Sequence, residues 1–153
     1  MAQSSLSSIY RSHTCGELRE THVGQQARIS GWVHRKRDHG NLVFIDLRDH
    51  YGITQCVLQS DSAAFAIVEG LKNETVVTFD GKVVKRSDEV INDKMPTGYV
   101  ELVIEKATVQ SVSEMLPLQV NAETDFPEET RLTYRFLDLR REKLHQNLSL
   151  IHI

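Results

Sequence analysis

Residues 31–55 read GWVHRKRDHGNLVFIDLRDHYGITQ, and their pattern decides the fold. The stretch opens on a strand-like run around Trp32, passes through the cations Arg35, Lys36 and Arg37, and breaks at His39-Gly40-Asn41. A second run then separates Val43, Ile45 and Leu47 from Leu42, Phe44, Asp46 and Arg48, one set apolar and the other mixed. Alternation with period two marks a half-buried strand, and a Gly-Asn turn between two such runs makes a hairpin. The mixed face sets an aromatic ring beside guanidinium groups. Such a face suits single-stranded nucleic acid, because any base can stack on the ring while the cations meet the phosphates.

Working outward, 26–37 forms the first strand, with Ile29, Gly31 and Val33 in one phase and Arg28, Ser30, Trp32 and His34 in the other. A glycine inside a strand points to a bulge or a sharp coil. A bulge would reverse the phase beyond it, so counting alone cannot assign a face to Arg35 and Arg37. Residues 53–59 form a third strand. Asp61 or Ser62 then caps a helix to Leu71, whose Ala64, Phe65, Val68 and Leu71 make one buried stripe. A long strand over 75–86, broken by Gly81, and a last strand over 99–109 flank a polar loop, 87–98. Three strands, a helix and two strands, with glycines bending the first and fourth, predict an all-β, five-stranded Greek-key barrel of the OB-fold type. An SH3-like barrel or a small sandwich has a similar strand count; the helix between strands three and four favours the OB order.

The barrel is expected over 13–113, after a disordered leader, 1–12, that is polar and aperiodic. Thr14 and Glu17 fit a capping box at its start. A polar hinge or connector is expected over 114–138, with Pro117, Pro127 and the acidic pair Glu128-Glu129. Leu144, Leu148 and Ile151 place a helix in 139–153, read as the first helix of an α+β catalytic domain that is truncated here. With 153 residues, 40% hydrophobic and 25% charged, the chain is ordinary globular material for one core and an appendage. A net charge of −3 confines any polyanion contact to a local patch.

Two cysteines, Cys15 and Cys56, lack metal or redox spacing and read as reduced thiols of a cytoplasmic protein. No run approaches the ~20 apolar residues of a membrane span, and no signal-peptide core is present. The seven histidines show no metal-ligand spacing, so no metal is expected. Neither a Gly-rich phosphate loop nor a nucleophile motif occurs, so this stretch of chain is not expected to catalyse alone.

Arg35 and Arg37 are the first candidates for RNA contact, helped by Arg48, Lys82, Lys85 and Arg86 on strands a barrel would bring near. Phe44 is either the stacking ring or a core aromatic. Gln55 is an exposed strand residue or a reader of a base edge, since its amide both donates and accepts. The Glu101 carboxylate could accept from a guanine or cytosine amino group, or simply wet the outside of the last strand. Asp38, Asp46 and Asp49 interleave with Arg37 and Arg48, which favours ion pairs along the sheet.

The run at 31–55, the upstream RSHTCGEL at 11–18 and the distal TRLTYRFLDLRR together resemble the amino-terminal region of bacterial-type aspartyl-tRNA synthetases. The resemblance covers nearly the whole chain from about residue 11. It implies an OB-fold that grips the anticodon loop, a hinge, and a class II catalytic domain that activates aspartate with ATP and Mg²⁺ through an aspartyl-adenylate. Carried over by position, Phe44 resembles the ring that stacks on the central anticodon base, and Gln55 the amide that reads an anticodon edge. Arg35 and Arg37 resemble anticodon-loop arginines, while Arg86, Asn92 and Glu101 match further contributors. His39 departs from members with leucine there and is similar to the relaxed type that also charges tRNA(Asn). The helix from about Arg140 resembles the opening of the dimer-forming first class II motif. The implied partners are tRNA(Asp), tRNA(Asn) as a second substrate, and a second copy of the whole enzyme. A free-standing OB module that binds single strands and the anticodon domain of an asparaginyl or lysyl synthetase are the rival readings.

Overall fold

The computed structural model describes residues 7–152. Strands β1 (Gln26–Asp38), β2 (Leu42–Arg48), β3 (Ile53–Gln59), β4 (Val76–Lys85) and β5 (Val100–Ser111) close into a barrel in the order β1-β2-β3-β5-β4. Helix α1 (Phe65–Glu69) connects β3 to β4. The β3–β5 pair is parallel and joined at Cys56↔Leu102 and Val57↔Val103, while the other neighbours are antiparallel. This is the OB arrangement read from the element order. Ile29, Val33, Val43, Ile45, Leu47, Phe79 and Leu102 fill the interior, each at most 1% exposed. The helix is shorter than the 61–71 expected, because Ser62 caps a turn ahead of it through the Ala64 N–H; Ala64, Val68 and Leu71 are buried as the stripe requires.

β1 serves two neighbours, pairing with β4 over Gln26–Trp32 and with β2 from Trp32 to Asp38. Gly31 sits at the changeover, where a Cβ would overlap the Arg48 carbonyl, so glycine is required by close backbone approach. The bulge lies a few residues further on, at His34, where the register passes from Val33↔Leu47 to Arg35↔Asp46. Its effect is to reverse the phase. Arg35 and Arg37 come to lie opposite Asp46 and Phe44 on the outer face, whereas Lys36 lies opposite the buried Ile45. The Lys36 ammonium donates to the Glu69 carbonyl at the end of α1, where a cation meets unpaired carbonyls.

The bulge is tied from the side by 73–75. Val33 N–H donates to the Thr75 carbonyl at 3.0 Å, and Glu74 N–H donates to the Val33 carbonyl at 2.7 Å. Glu74 takes a left-handed φ of 65°, and its carboxylate accepts from Arg48 Nη2 at 2.9 and 3.0 Å. Arg48 Nη1 meets His34 Nδ1 at 2.8 Å. A guanidinium only donates, so Nδ1 accepts and the imidazole is neutral with its proton on Nε2. Burial, with Arg48 and Arg35 adding to it, lowers the His34 pKa to about 4.

Of the leader expected over 1–12, residues 7–12 are tied to β1. Ser12 N–H donates to the Arg28 carbonyl at 2.8 Å, Ser30 Oγ to the Tyr10 carbonyl at 2.5 Å, and Arg28 Nη1 to the Ile9 carbonyl at 3.0 Å. A polar sequence can be held by backbone groups without any apolar face of its own. Residues 1–6 lie outside the described residues. The following turn has the expected tie, with Thr14 N–H donating to Glu17 Oε2 at 3.2 Å. Both thiols are free and fully buried, and Asp49 Oδ2 receives the Cys15 N–H at 2.8 Å.

The chain divides into two compact units at Ser113/Glu114. In the second, the expected connector contains two helices, α2 (Glu128–Thr133) and α3 (Arg135–Asp138), and the helix expected from 139 is α4 (Glu142–Ser149). The buried Asp138 carboxylate organises this unit, accepting from Arg131 Nε at 3.1 Å and Arg141 Nη1 at 3.2 Å; Arg141 Nη2 reaches the Thr124 carbonyl at 2.8 Å. Among the described residues, no helix is long and apolar enough to cross a membrane.

Candidate nucleic-acid interface

The strand registers carry one row of side chains across the outside of the barrel. Arg37 lies opposite Phe44, and Phe44 opposite Val57. One step along, Arg35 lies opposite Asp46, and Asp46 opposite Gln55. The parallel step from β3 to β5 brings Glu101 beside Gln55, and Glu101 pairs in turn with Val84 of β4. Phe44, Asp46, Gln55 and Glu101 are all half-buried between neighbours that point into the core. Phe44 therefore takes the outward place of its two readings, and Phe79 supplies the core aromatic instead.

These side chains are mutually held. Arg37 Nη2 donates to Asp46 Oδ1 at 2.8 Å and stands 3.5 Å from Gln55 Oε1. Gln55 Nε2 donates to Glu101 Oε2 at 3.1 Å. The Phe44 ring meets the His39 ring edge-on, with centroids 5.5 Å apart and planes at 83°. That contact spans the hairpin turn, which Gly40 makes with a φ of 79° while its N–H donates to Asp38 Oδ1. Burial pushes the Asp46 carboxyl pKa up, against the pull of Arg37, Arg35 and Arg86.

Two of the residues matched by resemblance sit differently from a simple contact. Arg86 is 5% exposed and donates through Nε to the Val100 carbonyl at 3.0 Å; its Nη2 is buried without a hydrogen-bond partner among the described residues. Burial lowers its pKa, while Glu101 and Asp46 act in the opposite direction, so it is an interior cation beside the carboxylates of the row. Asn92 is engaged by its own loop, with Oδ1 accepting the Lys94 N–H at 3.1 Å and its backbone N–H donating to Gly98.

Of the other cations, Arg48 is bound to Glu74 and Lys85 lies 3.4 Å from Glu20. The expected ion pairing of the aspartates holds for Asp46 with Arg37. Asp49 instead accepts backbone N–H groups from Cys15, Tyr51 and Gly52. The ring contact between His39 and Phe44 escaped sequence reading, although two aromatic-type residues flanking a Gly-Asn turn were a visible signal. No three His, Cys, Asp or Glu side chains among the described residues are grouped to hold a metal ion.

What this row offers is one stacking ring, one amide with both hydrogen-bond senses, and guanidinium groups at its margin. Comparison with known proteins points the same way. The tRNA anti-codon family, described as an OB-fold nucleic acid binding domain, matches residues 27–114. The chain is 57% identical over 142 residues to an aspartate–tRNA(Asp/Asn) ligase of Paramagnetospirillum magneticum, covering 93% of this chain and 16% of that protein. It is 59% identical over 141 residues to the ligase of the same name from Acidiphilium cryptum, covering 92% of this chain and 24% of that one. Among solved structures, the asparaginyl-tRNA synthetase of Pyrococcus horikoshii complexed with asparaginyl-adenylate superposes with a TM-score of 0.71 at 26% identity, over 89% of this chain and 30% of that one. The aspartyl-tRNA synthetase of Entamoeba histolytica shares the fold with a TM-score of 0.70 at 22% identity, over 82% and 31% of the two chains. The chain thus spans about a quarter or less of the length of the curated relatives it matches.

Proposed function

Because the chain belongs to the tRNA anti-codon family of OB-fold nucleic-acid-binding domains, we propose that its outer row grips the anticodon loop of tRNA(Asp). The observation that carries this reading is the Phe44 ring, turned outward, braced by His39 and set two register pairs, one place on the same face, from Asp46 and Gln55. In it a base stacks on Phe44, Gln55 meets a base edge, Arg35 and Arg37 face the loop phosphates, and Glu101 supplies an acceptor at the far side. Arg86 contributes as a buried counter-charge to the carboxylates, and Asn92 by shaping the loop before β5.

For the whole protein the reading is an aspartate–tRNA ligase that uses ATP and Mg²⁺ to attach aspartate to tRNA(Asp) and also to tRNA(Asn), working as a homodimer. The support for the two tRNAs is the name carried by relatives at 57% and 59% identity. His39 supports it too: the two anticodons differ at their third base, and this residue sets the edge of the platform on which the loop rests.

The test is the affinity of the chain for an anticodon stem-loop. Phe44→Ala is expected to weaken binding by about tenfold or more, as loss of a ~1–3 kcal/mol stack would; undiminished affinity would refute the stacking role. Equal affinity for aspartate and asparagine anticodon loops is the expected result for the natural chain. A strong preference for the aspartate loop would remove the case for tRNA(Asn).

A further inference from the structure

A one-residue slip in β1 decides which cations face outward. With Val33 opposite Leu47, an unbroken ladder would set Arg35 opposite Ile45 and Arg37 opposite Val43, both core positions, and Lys36 opposite Phe44. The extra residue at His34 moves Arg35 to Asp46 and Arg37 to Phe44, on the outer face. The segment 73–75 holds that residue in two ways. Val33, just ahead of the bulge, accepts the Glu74 N–H at 2.7 Å and donates to the Thr75 carbonyl at 3.0 Å. The Glu74 carboxylate takes Arg48 Nη2 on both oxygens, and Arg48 Nη1 donates to Nδ1 of the bulged His34 itself.

Glutamate is an unusual choice for this place. Its φ of 65° is left-handed, a conformation that glycine adopts freely and that is costly for a residue with a Cβ, and among the described residues no other non-glycine has a positive φ. A backbone held against its preference points to a task for the side chain. The Glu74 side chain is 7% exposed and that of Arg48 17%, so neither is placed to meet RNA directly. We propose that Glu74 is a positioning residue for RNA binding, a role that rests on the anticodon reading above: through Arg48 and His34 its carboxylate fixes the bulge of β1, and with it the places of Arg35 and Arg37 facing the loop phosphates. Without the carboxylate, Arg48 loses both oxygens that hold Nη2 and its grip on His34 loosens. The bulge can then migrate along β1, and the two arginines lose their fixed places on the outer face.

The experiment measures affinity of the full chain for the aspartate anticodon stem-loop across a salt series. Phosphate contacts set the salt slope and carry no sequence information. Glu74→Ala is expected to flatten the slope of log affinity against log salt by about 0.7 for each arginine displaced. It should also weaken loops with exchanged anticodon bases by the same factor as the natural loop. Glu74→Gly separates placement from stability, because it relieves the left-handed backbone but restores no carboxylate. It is expected to be the more stable of the two variants and to keep the flattened slope. A natural slope in Glu74→Gly would mean that binding merely follows stability, and it overturns the inference; so does an undiminished slope in Glu74→Ala. Urea unfolding verifies that each variant is folded at the temperature of the titration, and Glu74→Gly, the milder change, carries the slope test where Glu74→Ala does not fold. With Arg35→Gln and Arg37→Gln already in place, Glu74→Ala should change the slope no further, and a further flattening would overturn the assigned route through these arginines. If the Arg35→Gln, Arg37→Gln variant by itself keeps the natural affinity and slope, the phosphate contacts of the anticodon reading have failed and the role of Glu74 falls with them. A slope that flattens in that variant but not in the Glu74 variants counts against Glu74 alone.

Discussion

His34 is a histidine that the fold keeps neutral. Its Nδ1 accepts from Arg48, and burial first, then Arg48 and Arg35, bring its pKa down to about 4. The unfolded chain binds a proton on this side chain near pH 6.5, the folded chain only near 4. Stability from this source is complete above the unfolded value and is lost as the pH falls between the two. The loss is up to roughly 2–3 kcal/mol by pH 4. Urea unfolding followed from neutral pH downward should show it, and His34→Gln, which keeps an acceptor for Arg48, should lose that part of the pH dependence. An unchanged pH profile in the variant would contradict it. Single letters can mislead at this scale. Arg86 reads as one more surface cation, yet it is 5% exposed, because its Nε finds the Val100 carbonyl and its charge finds Glu101 and Asp46. Nothing in the letter R foretells a buried partner on another strand.

For elements, the decisive feature is the bulge at His34, which turns Arg35 and Arg37 to the outside. The alternation of β2 and of the first part of β1 was legible, because side-chain period follows directly from the pleat. The position of the bulge was not, because register depends on which backbone groups of other segments are close, here Thr75 and Glu74. Gly31 marked the coil of β1 rather than the bulge. Phe44, Gln55 and Glu101 could be placed on one face once strand order was assumed; whether Arg35 and Arg37 joined them could not. The two short helices of 128–138 were masked by charge density, although Pro127 followed by Glu128-Glu129 is a reasonable helix start.

The clamp on the bulge yields a paired prediction. Glu74→Ala removes the carboxylate from a nearly buried Arg48 and should cost about 3 kcal/mol in urea unfolding. Glu74→Gly removes the same group but accommodates the φ of 65° without a Cβ, and should be milder than alanine by about 1 kcal/mol. Equal losses would mean that the left-handed backbone carries no strain.

On the scale of the whole molecule, the proposed reading requires a chain with a net charge of −3 to attract RNA through a small patch. Arg35 and Arg37 are the outward cations of the row, Arg37 already shares Asp46, and Arg48 and Lys85 have partners elsewhere. Each phosphate neutralised on a single strand contributes about −0.7 to the slope of log affinity against log salt, so a slope of roughly −1 to −2 is expected for stem-loop binding. A slope steeper than about −4 would require a second cationic surface. In the proposed reading, specificity comes from the ring and the amide more than from charge.

The two buried thiols give the barrel a clock. Cys15 lies in the turn before β1, where it is tied to Asp49 and Thr54, and Cys56 lies at the β3–β5 junction; both are fully buried, and burial pushes both thiol pKa values well up. A thiol-specific reagent can act on them only as fast as the protein opens. Two labelling rates would therefore time the loosening of the turn around Cys15 separately from the parting of the barrel at its parallel junction, and a single shared rate would mean that the two come apart together.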